Sequence, residues 1–327
     1  NIKQFLCRSI ILFLNLFYLE AYMIHQKFPI EHVWKEENLE PFDELILSWN
    51  GMRPLGGSFL FYVRVKTAHW SPWLHYATCG SEGQSSFDFK PKEAPVKVYQ
   101  DAVEVLDGQK ATGFQIKVVC EGLASLDELH VIHVYTNSDK DLAQEACETV
   151  ENVLLGMPGL SQMLLNHVRN KHLCSPTSTT AVIRYLSNNS SVDPIDFAEN
   201  VWDRGFDIYG NWVFNVAQAS HHLGPEWFSW VERLSGFNDI YQSLIKGVPV
   251  VVSVKSPLPG SAQEYSQGHL IVITGYDALQ QKIICMDPAF ANDSETHVAY
   301  DLTDFLQAWT RRGKIAYIFM QNELRGQ

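Results

Sequence analysis

The sequence has few cysteines, and none form a pair signature. Its six cysteines are Cys7, Cys79, Cys120, Cys147, Cys174 and Cys285. No two make a C-x-x-C motif, which argues against a zinc ribbon or a thioredoxin-type site. Six in 327 residues is also sparse for a disulfide scaffold, so most are expected to be buried free thiols. No H-E-x-x-H stands among the twelve histidines, and no metal is expected. Positive charge is short: 25 Lys and Arg face 37 Asp and Glu, a net charge of −12. A nucleic-acid backbone is therefore not the expected partner, because phosphate binding needs a basic surface. No window holds 18 uninterrupted apolar residues, so no transmembrane helix is expected. Fixed-period repeats, low-complexity tracts and a G-x-x-x-x-G-K-[ST] loop are also missing.

What is present fits two folded domains, at ~100–200 residues per domain. Hydrophobic residues make up 46% and charged residues 19%, enough to bury real cores. Residues 1–25 carry Lys3 and Arg8 before an apolar run from Ile10 to Leu19, like the start of a signal peptide. The alternative is a buried strand. A signal-like start favours a bacterial-type exported or cell-envelope protein over a cytoplasmic one.

Residues 30–136 read as β. In "FLFYVRVK", Phe59, Phe61, Val63 and Val65 alternate with Leu60, Tyr62, Arg64 and Lys66, the period of a half-buried strand. Several such strands separated by turn signals suggest an antiparallel β-sandwich. Trp34, Trp49, Trp70 and Trp73 are either core and loop anchors, the favoured reading, or a glycan- or protein-binding surface. The acidic stretch "SDKDLAQEACETVENVLLGMPGL" marks a boundary, giving domains at 1–150 and 151–327. Asn137, Asp139, Asp141 and Glu148 mimic a calcium loop there, but Leu142 stands where a glycine turn is needed, and a solvated linker is the better reading.

The second half mixes helical and strand patterns, an α+β texture. In "HLCSPTSTTAVIRYL" a helix is expected to begin at or just after Cys174. Pro176 suits its first turn, and Ser175, Thr177 and Ser178 can satisfy free N–H groups there. The positive end of a helix lowers a thiol pKa and favours the nucleophilic thiolate. The alternative is a small buried cysteine.

A nucleophilic cysteine also needs a base and an orienting group. His269 opens the apolar strand "HLIVITGYD", and Asp287 ends the next strand before Pro288. Neighbouring strands joined by "YDALQQK" would bring both to one sheet end, where an Asp can hold an imidazole in one tautomer.

These segments, in this order, resemble the C-39-like family of cysteine peptidases, relatives of bacteriocin-leader peptidases in the papain superfamily. "GLSQM" resembles the approach to the nucleophile, and "CSPTSTTAVIRYL" its helix. "YGNWVFNVAQAS" and "LIKGVPVVVSV" resemble the middle, "GHLIVITGYD" and "MDPAF" the His and Asp strands, and "VAYDLTDFLQAW" the closing helix. The resemblance implies a papain-like domain with Cys174 as nucleophile, His269 as base then acid, and Asp287 as orienter. It implies Gln162 as an oxyanion donor with the Cys174 N–H. The interval to Cys174 is longer than in leader peptidases, so "NHVRNKH" must loop out. Trp212 is a candidate cleft wall, with a core position as the alternative.

The implied substrate is a peptide or related amide, with no cofactor. One alternative is a non-catalytic binding protein that uses its aromatic β-domain. Another is a redox cysteine with Cys285 as its resolving partner.

Overall fold

The computed structural model describes residues 21–26, 33–138 and 151–322. Most of the signal-like segment and of the acidic boundary stretch, including Asp139, Asp141 and Glu148 of the calcium-like pattern, lies outside the described residues.

The first sheet contains β1 (Ala21–Gln26), β2 (Val33–Phe42), β3 (Glu44–Gly51), β4 (Gly57–Val65) and β5 (Leu74–Gly80). It continues with β6 (Gly83–Phe89), β7 (Val96–Gln100), β8 (Ala102–Val105), β9 (Ala111–Gly122) and β10 (Leu129–Asn137). Every pairing is antiparallel, in the order β1-β10-β3-β8-β7-β6-β5-β4-β9-β2. The expected sandwich of two stacked sheets is therefore corrected to one continuous sheet. Only Asp43 separates β2, at one edge, from β3, third from the other edge. That continuity curls the sheet into a nearly closed barrel, which shelters its edges as closure does elsewhere. Tyr76 on β5 reaches across it: its hydroxyl accepts from Leu47 N–H (3.2 Å) and donates to Asp101 O (2.5 Å).

The period-2 pattern of β4 holds. Phe59, Phe61, Val63 and Val65 are buried, and the residues between are half-exposed. On β3 all eight residues are buried, because its outer face is covered too.

That cover comes from the second half. Its sheet is β12 (Trp227–Arg233), β17 (Ile315–Gln321), β13 (Val250–Val254), β14 (His269–Asp277), β15 (Lys282–Met286) and β16 (His297–Asp301), with β11 (Val153–Leu154) on β14. Helices α1 (Cys174–Ser187), α2 (Pro194–Val201) and α3 (Trp212–Leu223) precede β12. Helices α4 (Phe237–Ile245) and α5 (Leu302–Thr310) follow it. Asp301 caps α5 by accepting from Thr303 N–H (2.9 Å). Strands β13 and β14 are buried on both faces, which explains their unbroken apolar runs. Leu270 and Val272 join a core with α1, α3 and the barrel, while Ile271 and Ile273 join the core under α4 and α5.

Polar rungs fix the barrel to this sheet. Asn50 bonds both ways with Ser229, donating at 2.6 Å and accepting at 2.9 Å. Val231 N–H donates to Ser48 Oγ (3.1 Å), and the Arg233 guanidinium donates to both Glu44 oxygens (2.6 and 2.7 Å). Trp49 of β3 stacks on Phe61 (4.1 Å between centroids) and meets Phe214 of α3 edge-on (6.0 Å). Trp34 and Trp49 are thus core residues, 5% and 3% exposed.

Candidate active site

Cys174 is the first residue of α1, as its sequence suggests. The capping differs from expectation. Leu173 is the N-cap, and its apolar side chain offers no capping bond, while the hydroxyls of Ser175 and Ser178 are drawn to the sheet. Ser175 Oγ pairs with Tyr317 Oη (2.8 Å), and Ser178 Oγ donates to Leu270 O (3.0 Å). Thr177 uses its backbone N–H on Leu173 O (2.9 Å). These bonds pin the helix start against β14 and β17. They also leave the positive end of the helix to the cysteine.

The Cys174 thiol, at the start of α1, is acted on by the His269 side chain and by the Leu270 and Ser175 main chain. Burial pushes the thiol pKa up, but the His269 charge and these polar neighbours outweigh it, and the net shift is downward.

His269 is the first residue of β14 and 3% exposed. Its Nε2 lies 2.8 Å from Asp287 Oδ1, which leaves Nδ1 for the Cys174 side. Burial opposes a charged imidazole. The Asp287 carboxylate and the Cys174 thiolate favour it more strongly, and the His269 pKa is pushed up to about 10.

Asp287 stands just past β15, fully buried, and its carboxylate is saturated. Oδ1 accepts from His269 and from Ala289 N–H (3.0 Å). Oδ2 accepts from Tyr265 Oη and Tyr300 Oη, each at 2.7 Å. Burial alone would raise the Asp287 pKa; the His269 charge and these donors hold it below the ordinary carboxylate value. Tyr265 and Tyr300 were not singled out in the sequence. Tyr265 lies in the loop before β14 and Tyr300 on β16, and no local pattern marks either as a carboxylate donor.

Gln162 is fully buried, in a turn whose N–H donates to Pro288 O (2.9 Å). Its Nε2 donates to Asn170 O (3.0 Å), which also accepts from Leu173 N–H (3.1 Å). The side-chain amide is thereby tied one turn from the start of α1, and "NHVRNKH" does loop between them. Trp212 begins α3 and is half-buried. Its N–H donates to Asp101 Oδ2 (2.8 Å), from the turn between β7 and β8. The Arg312 guanidinium lies 5.8 Å from the Trp212 ring centroid.

Cys174, His269 and Asp287 thus meet at one end of β14 and β15. The Peptidase_C39 like family matches residues 154–317. The chain belongs to this family. All four of Gln162, Cys174, His269 and Asp287 fall inside the matched span of the Peptidase_C39 like domain, and Asp101 falls outside it. A crystal structure of a protein from Bacillus anthracis described as a C39-like peptidase is also similar. It shares 20% identity, with a TM-score of 0.40, over 53% of this chain and 100% of that one. No curated protein matches the chain.

Cys285 does not look like a resolving partner. It is fully buried in the core that also holds Ile273 and Ile283, and burial pushes its thiol pKa well above the ordinary value. Among the described residues no cluster of His, Cys, Asp and Glu has the geometry to hold a metal.

Proposed function

We propose that the chain is a cysteine peptidase acting through Cys174, His269 and Asp287. The observation that carries this reading is a buried, fully bonded carboxylate on the imidazole of His269, which in turn acts on the Cys174 thiol. The opposed pKa shifts of Cys174 and His269 favour a thiolate–imidazolium pair at neutral pH. In this reading residues 151–327 form the peptidase domain, and residues 1–150 form a β domain that braces it.

The Cys174 thiolate attacks the scissile carbonyl carbon. The oxyanion that forms is received by the Cys174 N–H and the Gln162 Nε2 group. Preorganised donors of this kind are worth roughly 10²–10³ in rate. His269 passes its proton from Nδ1 to the amine as the C–N bond breaks, leaving a thioester. Water then attacks the thioester, His269 takes its proton, and Cys174 leaves as the thiolate. Asp287 stays charged throughout and holds the imidazole. The reaction is tested by incubating the full chain with a peptide mixture and sequencing new termini. New termini from wild type and none from Cys174→Ala support the reading; equal cleavage by both, or none by either, contradicts it.

A second reading places glycan or protein binding on the outer barrel face. Trp70 and Trp73 remain at the surface, and Arg64 lies over both rings (5.3 and 4.6 Å) with Lys117 over Trp73 (4.9 Å). Such binding would survive Cys174→Ala and be lost in a Trp70→Ala/Trp73→Ala variant.

A further inference from the structure

We infer that Arg312 is a carboxylate-binding subsite beside Cys174, so that the preferred peptide carries a carboxylate close to the scissile bond. The inference rests on the peptidase reading above.

Arg312 lies in the turn between α5 and β17. Its main-chain oxygen accepts from the Arg233 guanidinium (3.1 Å), which fixes the turn. The guanidinium is held on three sides. Its Nε donates to Ser253 Oγ (3.1 Å), and its plane sits over Trp212, 5.8 Å from the ring centroid. The third side is Gly268, the residue before His269. A Cβ at that glycine would stand 3.1 Å from Arg312 Nε and 3.2 Å from its Cζ. Gly268 also has φ +100°, which side chains rarely adopt. The arginine can therefore lie against the backbone that presents the candidate base.

This placement leaves the business end of the side chain open. Among the described residues no acceptor meets either terminal amino group of Arg312. The neighbouring Arg311 is a contrast: it donates from Nε to Lys255 O (3.1 Å) and from Nη2 to Pro257 O (2.5 Å), a structural role. Arg312 is also partly exposed, and its charge acts on Cys174. A held guanidinium with a free fork suits two-point binding of a carboxylate.

The surroundings do not cancel that charge. Arg233 is already paired with Glu44. The carboxyl that acts on Arg312 is that of Asp101, which accepts from Trp212 N–H, and burial raises its pKa to about 7. The chain as a whole carries a net charge of −12 and repels anions. A local cation at the thiol is then a selective feature.

The test compares alkylation of Cys174 by iodoacetate, an anion, with iodoacetamide, its neutral counterpart. Rates are read by peptide mapping at one pH and low salt, in wild type, Arg312→Gln and Arg312→Lys. Losing Arg312 alters thiolate content equally for both reagents, so the ratio of rates isolates the subsite. The iodoacetate-to-iodoacetamide ratio is expected to fall about tenfold in Arg312→Gln, to be partly kept in Arg312→Lys, and to shrink in wild type at high salt. Should Arg312→Gln not fold, Arg312→Lys and the wild-type salt series still decide. Fast iodoacetamide labelling with a ratio that neither salt nor the variants change would overturn the subsite and leave the peptidase reading standing. Slow labelling by both reagents in wild type would overturn the peptidase reading itself. Substrate pairs then distinguish the source of the carboxylate. An Asp/Asn pair reads a side chain, and a free-acid/amide pair reads a chain terminus. One pair is expected to differ in KM for wild type and to differ less for Arg312→Gln. No difference in either pair contradicts the inference.

Discussion

Tyr265 lies flat on the His269 imidazole, with ring centroids 3.9 Å apart and planes 20° from parallel. Its hydroxyl reaches past the ring to Asp287 Oδ2 at 2.7 Å. One side chain therefore sets the tilt of the imidazole and also helps keep charge on the carboxylate behind it. Tyr300 supplies a second donor to the same oxygen, also at 2.7 Å.

Removing either hydroxyl should weaken the site without emptying it. Tyr265→Phe and Tyr300→Phe each delete one hydrogen bond to a charged acceptor, worth about 1.5–3 kcal/mol. Loss of a donor raises the Asp287 pKa. The acidic limb of the pH–rate profile, where this carboxylate takes up a proton, should then move to higher pH. Peptide hydrolysis measured across pH checks this, and an unmoved limb in both variants contradicts it.

Asp287→Asn keeps the shape but loses the charge. The imidazole can then adopt the wrong tautomer, and nothing supports its proton. We expect kcat/KM to fall about 10⁴-fold, in keeping with the loss of the third group in comparable sites. Cleavage of a fluorogenic peptide reads it. The fold should persist, since the Asn oxygen can still accept from Ala289 N–H while its amide group donates to the tyrosine hydroxyls.

Asp101 should give the junction between the barrel and α3 a pH dependence. Burial raises its pKa to about 7 in the folded chain, against ~3.9 for an unfolded Asp. The native state therefore holds more protons between these values. This contribution is fully present below about pH 4 and is lost as pH rises through about 7. Asp101→Asn, whose side-chain oxygen can still accept from Trp212 N–H, should flatten that slope in urea unfolding curves recorded from pH 4 to 8. An unchanged slope contradicts the assignment.

The Arg233–Glu44 pair ties β12 to β3, with side chains only 9% and 3% exposed. Arg233→Ala leaves Glu44 charged in a buried place and should cost about 3–5 kcal/mol. Replacing both, as Glu44→Gln with Arg233→Met, should recover most of that loss. Chemical denaturation of the two variants separates a stranded charge from simple loss of packing.

Much of this site was legible in sequence. The small polar run before an apolar helix pointed to Cys174. The two apolar runs joined by a short turn brought His269 and Asp287 to one sheet end. Longer-range relationships were not legible. Alternation along β4 told which side chains face inward, but it is the same for a sandwich and a barrel. What closes the sheet is the passage from β2 to β3 through Asp43, and that depends on strand order. Trp212 and Asp101 meet 111 residues apart in sequence, through a contact that no local pattern encodes. The hydroxyls at the start of α1 read as caps because local bonding is their usual role. Burial against β14 and β17 gave Ser175 and Ser178 tertiary partners instead.

The central claim is an activated thiolate–imidazolium pair, and the most direct measurement is the rate of iodoacetamide labelling at Cys174 against pH in wild type and His269→Ala. The account predicts fast labelling in wild type well below ~8.5, the value for an ordinary thiol. In His269→Ala the onset should move upward, because burial of the sulfur is then no longer opposed by the imidazolium charge. Slow labelling with an ordinary profile in both proteins would contradict the account.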